Sequence, residues 1–186
     1  MDEHKAVHLL KLNDLSGLAW LVEQYYQRAF QTACLITGDQ DLAEDAVQET
    51  FVSLPRTIHG FDDARPFAPW FFKCVSNAAV KAASRDSRQI WLDHLPGENE
   101  LEEILARENP TLDEQVERAE IRTRLAALMQ QLNPRHRAVL VQRYYLEMSE
   151  KEMAERQGVA LGTLKWLLSE ARGKMRLLLK QERKEL

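Results

Sequence analysis

The sequence predicts an all-α protein built from two small helical domains with a linker between them. Three observations lead to this fold class: apolar residues recur at intervals of three and four, only 7 glycines and 6 prolines interrupt 186 residues, and no stretch alternates over the length of a sheet strand. Because 45% of the residues are hydrophobic, the chain can form ordinary cores. No signal peptide opens it and no window approaches ~18 uncharged apolar residues, so we expect no membrane insertion.

Charge is distributed unevenly along the chain. The net charge is −4, yet residues 93–120 carry −8 and residues 121–186 carry +7. This asymmetry points to nucleic acid at the basic end. The acidic stretch also contains prolines and a glycine. We therefore expect an acidic linker over residues 91–112, between a domain of residues 1–90 and a domain of residues 113–186.

Nothing in the sequence assembles a catalytic or metal site. The five histidines are scattered without ligand spacing, and no Ser-His-Asp order or glycine-rich phosphate loop occurs. Cys34 and Cys74 lie in apolar helical runs, which predicts buried thiols in a reducing cytoplasm. We expect a cytoplasmic protein that is no enzyme and has no cofactor.

The first domain is predicted to contain three helices. They run over residues 14–37, 41–55 and 70–89, with a polar lead at 1–13 and a structured loop at 56–69. Gly38 ends the first helix, since glycine adopts the left-handed conformation without strain. Asp41 and Glu44 form the capping-box pattern that opens the second.

The second domain is predicted to end in a helix-turn-helix. Its four helices run over residues 113–131, 134–145, 149–157 and 161–179. Ser149 and Glu152 form a capping box before the third helix, and Gly158 ends it. The fourth helix carries an apolar face made by Leu161, Leu164, Leu168, Ala171, Met175 and Leu178. Because its opposite face is basic, the pair of helices is typical of helix-turn-helix proteins.

Several motifs resemble those of bacterial sigma factors, most closely the extracytoplasmic-function (ECF, group IV) class. They are DLAEDAVQETFVSL, WFFKCVSNAAVKAA, and LNPRHRAVLVQRYYLEMSEKEMAE followed by GTLKWLLSEARGKMRLLL. The resemblance covers roughly residues 14–90 and 113–180. It implies a sigma region 2 helical bundle in the first domain and a sigma region 4 helix-turn-helix domain in the second.

The resemblance implies a polymerase-binding face on the second predicted helix. The residues concerned are Asp41, Glu44, Asp45, Gln48, Glu49 and Val52. An acidic face would meet basic residues on the clamp helices of the polymerase's largest subunit. From composition alone, a solvated face of charge is the simpler interpretation.

The resemblance also implies recognition of the minus-ten promoter element by the loop and third helix. The residues concerned are Phe61, Phe67, Lys73, Asn77, Lys81, Arg85 and Arg88. Reading a melted strand needs a pocket for an unstacked base, an amide for its edge and cations along its backbone. Relatives usually have an arginine before the asparagine, where this chain has Ser76, so we expect a lost phosphate contact.

The helix-turn-helix is expected to read the minus-thirty-five element. The residues concerned are Arg143, Thr163, Lys165, Trp166, Ser169, Arg172, Lys174 and Arg176. Ala160 stands where relatives often have a serine cap. For Glu170 we favour a pair with Lys174 at i+4 over a hydrogen bond from a cytosine amino group. For Trp166 we favour packing against the linker or the first domain over contact with a thymine methyl; both alternatives stay open.

The resemblance implies a promoter-specificity subunit of RNA polymerase. Its partners would be the polymerase core, promoter DNA and an anti-sigma factor, and the free chain would be a monomer. Two other functions remain open from the sequence: a stand-alone helix-turn-helix regulator that dimerises on a palindrome, and a helical protein-interaction adaptor.

Overall fold

The structure, a computed structural model, describes residues 1–86, 121 and 123–185, with only the backbone at residues 86 and 183–185. The part described up to residue 86, here the N-terminal half, contains four helices: α1 (Glu3–Lys11), α2 (Leu15–Thr37), α3 (Gln40–Thr57), which continues as a 3₁₀ turn (Ile58–Gly60), and α4 (Phe67–Asp86).

The part from residue 121 onwards, here the C-terminal half, is also helical. Its elements are α5 (helical over residues 123–130), α6 (Pro134–Leu140, continued as a π-helix over Val141–Tyr145), α7 (Glu150–Gln157) and α8 (Leu161–Glu185). The all-α fold is confirmed, and the residues described contain no strand. The predicted linker lies outside them, so the domain boundaries stay a prediction. None of the described helices has both the length and the apolar content needed to cross a bilayer.

The core of the N-terminal half is an aromatic cluster between α2, α3 and α4. Phe71 is fully buried, and its ring centroid lies 5.0 Å from that of Phe51 and 5.5 Å from that of Tyr25. Phe67 and Phe72 also lie within 6 Å of Tyr25. Tilted and edge-to-face rings at these distances attract one another beyond the effect of burial alone.

The polar lead predicted at residues 1–13 is wrong, because helix α1 forms there. The Asp2 carboxylate caps it by accepting the Lys5 backbone N–H at 2.8 Å. Ala6, Val7 and Leu10 are buried, and the backbone of α1 lies so close to Gly17 that a Cβ there would be 2.2 Å from the Ala6 carbonyl oxygen. The spacing of those three apolar residues was the available signal.

The ends of helices α2 and α3 test the capping residues predicted from the sequence. Helix α2 begins after Asp14 and ends at Gly38, which has a φ of 74°, as predicted. Helix α3 begins one residue before the predicted start, because Asp39, and not Asp41, is its N-cap. The extended backbone of Asp39 brings its carboxylate to 2.8 Å from the Leu42 nitrogen. Asp41 lies in the first turn.

Helices α4 and α8 are longer than predicted. Helix α4 begins at Phe67, three residues before the expected Trp70, because Phe67 is 2% exposed and anchors the first turn in the aromatic cluster. Its predicted end at Gln89 lies outside the described residues. Helix α8 continues beyond Leu179 to Glu185. Arg124 pairs with Glu182 at 2.9 Å, which holds this extension against α5.

The helix-turn-helix forms as predicted. Ser149 and Glu152 make the full capping box, and Gly158 ends α7 with a φ of 65°. Leu164, Leu168 and Ala171 are buried. Leu161 is 41% exposed because it is the first residue of α8, so its predicted burial is wrong.

The two halves pack against each other in what we call the closed arrangement. The Tyr145 hydroxyl bonds to the side chain of Gln31 on α2. The Gln130 amide fills the space beside Gly38, where a Cβ would lie 2.1 Å from it. Arg156 on α7 donates to the Pro66 carbonyl at 3.4 Å.

Candidate protein and nucleic-acid interfaces

The six residues predicted to bind polymerase all lie on the exposed side of α3. Asp41, Glu44, Asp45, Gln48, Glu49 and Val52 are each exposed. Gln48 donates to Glu44 at 3.0 Å, which orders one turn of this face. Val52 is 81% exposed and lies at the end of this polar face. The buried side of α3 carries Ala43, Val47 and Leu54.

One salt bridge connects this acidic face to α4. The Lys81 Nζ lies 2.7 Å from the Glu49 Oε1, and both side chains are about half exposed. The Lys81 hydrogen bond lowers the pKa of Glu49, which favours the charged carboxylate. A residue expected to meet polymerase therefore contacts a residue expected to meet DNA.

The structure changes the role expected for two aromatic residues. Phe61 and Phe67 are 6% and 2% exposed, and their rings lie edge to face at 5.6 Å. Neither ring has surface available to stack on a DNA base in this conformation. The expected direct contact of Phe61 and Phe67 with DNA is therefore absent from this conformation. The segment between the 3₁₀ turn and α4 is here called the 61–66 loop. The buried rings of Phe61, its first residue, and of Phe67, the first residue of α4, fix its two ends in the core. Its side chains from Asp62 to Pro66 are exposed.

The polar residues predicted on α4 lie along one side of it. Asn77, Lys81 and Arg85 are exposed, Lys73 is half-buried, and Arg88 lies outside the described residues. Asn77 and Lys81 line a groove of about 890 Å³ whose other wall comes from the C-terminal half. That wall includes Arg135, Gln157 and Leu167.

Ser76 does not face this groove. It is 1% exposed, and its hydroxyl donates to the Phe72 carbonyl at 2.8 Å within α4. Ser76 therefore presents no group to a phosphate in this conformation, and the expected loss of a phosphate contact stays a prediction.

Helix α8 presents most of the predicted minus-thirty-five residues to solvent. Thr163, Lys165, Trp166, Ser169, Arg172, Lys174 and Arg176 are exposed. Trp166 is 64% exposed, so the expected packing against the first domain is wrong; the linker lies outside the described residues. An exposed indole three residues after Thr163 enlarges the face that α8 offers to a partner.

Glu170 forms the predicted pair. Its carboxylate lies 2.9 Å from the Lys174 Nζ and 3.5 Å from the Nε2 of buried His136 on α6. The Lys174 hydrogen bond is the main reason why the pKa of Glu170 is lowered. Glu170 is thus held by intramolecular partners.

Three arginines on the C-terminal half differ in exposure and in the main-chain carbonyl groups to which they donate. Arg143 is half-buried and donates to the Met148 carbonyl at 3.1 Å, which ties it to the turn before α7. Arg172 and Arg176 donate to main-chain carbonyls one turn earlier, at 3.3 and 3.4 Å, and remain exposed. Both also line an apolar cavity of about 630 Å³ together with Leu35 of α2.

Sequence reasoning missed the residues that hold the 61–66 loop. Lys11 and Asp63 pair at 2.8 Å, and Arg65 lies 3.8 Å from Glu155. Recognition of α1 as a helix would have placed Lys11 at its end, but not beside Asp63. Within the described ranges, no three His, Cys, Asp or Glu side chains are placed to hold a metal ion.

Two family models match the chain in the same order as the two halves. Sigma-70 region 2 matches residues 21–89, and Sigma-70, region 4 matches residues 122–175. The first match begins inside α2, so it leaves out α1.

Two relatives match this chain over most of their own length. The chain is 25% identical to the ECF RNA polymerase sigma factor SigW of Bacillus subtilis, over 92% of this chain and 94% of that protein. It is 29% identical to the ECF RNA polymerase sigma factor SigL of Mycobacterium tuberculosis, over 87% of this chain and 88% of that protein.

Solved structures share the fold. One holds CnrH in complex with the cytosolic domain of CnrY, with a TM-score of 0.63, 20% identity and coverage of 97% of this chain and 99% of that one. Another holds the sigma factor RpoE in complex with the anti-sigma factor NepR from Bartonella quintana, with a TM-score of 0.59, 20% identity and coverage of 83% and 91%.

Proposed function

The chain belongs to the ECF sigma factors of RNA polymerase, and we propose that its halves divide promoter recognition between them. The N-terminal half binds the polymerase core through α3 and captures the melted minus-ten strand beside α4. The C-terminal half reads the minus-thirty-five element with α8. The observation that carries the proposal is the pair of exposed faces of opposite charge, acidic on α3 and basic on α8.

The α3 face suits a basic partner. Four carboxylates and an exposed valine occupy successive turns of its outer side. Such a face steers association with a positively charged surface and fixes its orientation. We assign it to the clamp helices of the largest polymerase subunit.

The α4 face suits a single strand. Asn77 can bond to a base edge, while Lys81 and Arg85 supply charge for phosphates. Capture of an unpaired base needs a recess, and the 61–66 loop is the irregular segment beside this helix.

The α8 face suits the major groove. Its first two turns expose Thr163, Lys165 and Trp166, the part of a recognition helix that contacts base edges. Arg172 and Arg176 follow on later turns and are assigned to phosphates.

Promoter binding requires the halves to separate. Two elements about 25 base pairs apart lie about 85 Å apart along B-DNA, at ~3.4 Å per base pair. In the closed arrangement, Asn77 of α4 and Leu167 of α8 line one groove. We therefore propose that the closed arrangement is inactive, and that an anti-sigma factor keeps a group IV factor of this kind from opening. The polymerase that it serves would be in the cytoplasm.

Run-off transcription with core polymerase on a promoter library tests the function. We expect promoter-specific transcripts only when the chain is present. Transcription no greater than with core alone would contradict the proposal, and promoter binding without core would favour a stand-alone regulator.

Two charge reversals then separate the roles of the halves. Asp45→Arg on α3 should weaken core binding, and Lys165→Glu on α8 should leave core binding intact and abolish promoter selectivity, because each reverses charge on one face only. Glu23→Arg, on the exposed side of α2, is the matched control and should change neither. Equal losses from all three variants would contradict the assignment of the faces.

A further inference from the structure

We propose that Lys11 is a positioning residue for promoter opening: it holds the 61–66 loop in the shape that receives the melted minus-ten strand. This inference rests on the proposed function. It concerns a residue in α1, which precedes the match to Sigma-70 region 2 at residues 21–89.

The Lys11 ammonium group has three partners at the start of the loop. Its Nζ lies 2.9 Å from the Phe61 carbonyl oxygen and 2.8 Å from the Asp63 carboxylate. It also lies 5.6 Å from the centre of the Phe61 ring. The Lys11 side chain is 21% exposed, whereas that of Asp63 is 62% exposed. The contacts are charge-assisted and partly shielded from water, so they are stronger than those of an ordinary surface pair.

These partners fix both the backbone and the turn that follows. Asp62 accepts the Ala64 N–H on its side chain and the Arg65 N–H on its carbonyl, both at 3.0 Å, which closes a tight turn over residues 62–65. Lys11 holds the residues on either side of Asp62. Because α1 is itself fixed against Gly17 of α2, the loop is attached to the core of its own half.

Within the N-terminal half, the Phe61 ring also packs against Phe67 and Trp70, whereas two polar contacts further along the loop come from the opposite half. Arg156 donates to the Pro66 carbonyl at 3.4 Å, and Arg65 lies 3.8 Å from Glu155; both partners are on α7. These contacts break when the halves separate to reach two promoter elements. The Lys11 contacts persist, because both partners belong to the N-terminal half. Lys11 thus keeps hold of the exposed Asp63 when the loop must bind DNA, while the buried Phe61 ring keeps the start of the loop in the core.

A positioning role and a phosphate contact predict opposite effects at Asp63. Asp63→Asn removes a negative charge beside the proposed strand. Electrostatics alone would then favour tighter DNA binding. If Lys11 positions the loop through Asp63, the same substitution weakens strand capture.

The test uses the full chain assembled with core polymerase. A promoter is first selected from a randomised library with the wild-type holoenzyme. The probes are the single-stranded nontemplate segment of its minus-ten element and the duplex of its minus-thirty-five element. Binding of core polymerase is measured in parallel, and it verifies that each variant is folded.

Lys11→Met should weaken binding of the single strand by roughly tenfold, the loss expected for one charge-assisted hydrogen-bond network. Binding of core and of the duplex should stay within about twofold. Lys11→Arg, which keeps the charge and the donors, should restore most of the strand affinity. Lys5→Met removes the same charge from an exposed position on α1 and should have no effect.

Three results would overturn the inference. One is unchanged strand affinity in Lys11→Met. Another is a tighter strand complex in Asp63→Asn. The third is a reduction of the salt dependence by about one unit of slope in Lys11→Met, which would identify a direct phosphate contact. If the wild-type holoenzyme itself binds no selected strand, the proposed function fails and not only the role of Lys11.

Discussion

The inside of the N-terminal half and the boundary between the two halves are held together in different ways. Inside the half, the rings of Tyr25, Phe51, Phe67 and Phe71 pack at centroid distances between 5.0 and 5.7 Å, with Phe71 fully buried. At the boundary, Tyr145 meets Gln31 and Arg156 meets the Pro66 carbonyl, and between these polar contacts Leu35 and Val141 line an apolar cavity of about 630 Å³ instead of a packed core.

This difference indicates which contacts survive when the molecule opens. Polar groups at a boundary can exchange their partners for water at small net cost, whereas exposure of an aromatic cluster loses the full benefit of burial. The halves are therefore expected to move as intact bodies. A sigma factor that must reach two separated elements needs this combination.

Phe71→Ala is expected to have the largest effect, because it removes a ring from the middle of the aromatic cluster. The free energy of unfolding should fall by about 3–5 kcal/mol, measured by denaturant unfolding of the full chain. Phe71→Leu, which keeps more apolar volume, should lose less. If Phe71→Ala unfolds no more easily than wild type, the cluster does not hold the half together.

Tyr145→Phe removes the hydroxyl that bonds to Gln31 across the boundary and keeps the aromatic ring in place. It leaves buried Gln31 without this partner, a loss of about 1–3 kcal/mol, and should shift the molecule towards extended forms. Small-angle scattering should show a larger radius of gyration. Tyr144→Phe, at a neighbouring residue that is 59% exposed, is the matched control and should leave the radius unchanged. A compact Tyr145→Phe protein would show that other contacts are enough to hold the halves closed.

Glu152→Gln should have the smallest effect, confined to the helix-turn-helix. Hydrogen bonds from the Ser149 hydroxyl and backbone lower the pKa of Glu152, so its folded-state pKa lies below the unfolded value. The stabilisation, about 1 kcal/mol, is fully present above the unfolded pKa and is lost as the pH falls through the folded pKa. The free energies of unfolding of the wild type and of Glu152→Gln, measured by denaturant unfolding, should therefore converge as the pH falls through the acid range.

Glu150→Gln is the control for that measurement. It removes a charge from the same first turn of α7 and leaves the capping box intact. An equal loss of stability from Glu150→Gln would assign the effect to charge near the helix N-terminus and not to the reciprocal hydrogen bonds.

The sequence correctly predicted those features that depend on a few neighbouring residues. The Ser149–Glu152 box, the left-handed glycines at 38 and 158, and the Glu170–Lys174 pair all depend on residues at most four apart. The same local reasoning chose Asp41 instead of Asp39 as a cap, because both are aspartates before a helical run and only the backbone geometry distinguishes them.

Predictions from the sequence differed from the structure at positions where segments distant in sequence meet. Phe61 and Phe67 sit in a loop-like sequence and were assigned to DNA, yet they are buried because α2 and α4 bring Tyr25 and Trp70 against them. Ser76 stands where relatives usually have an arginine, yet it faces the core. Trp166 is 64% exposed on α8 and does not pack against the N-terminal half, one of the two packing partners expected for it.

The amphipathic face of α8 and the acidic face of α3 were determined by the sequence itself, because the spacing of apolar residues along one helix decides which side is buried. Only the tertiary structure decided that Lys11 meets Asp63, 52 residues away, and that α4 and α8 share a groove. Such contacts depend on how helices pack around one core, and no local pattern encodes which exposed charge will lie opposite another.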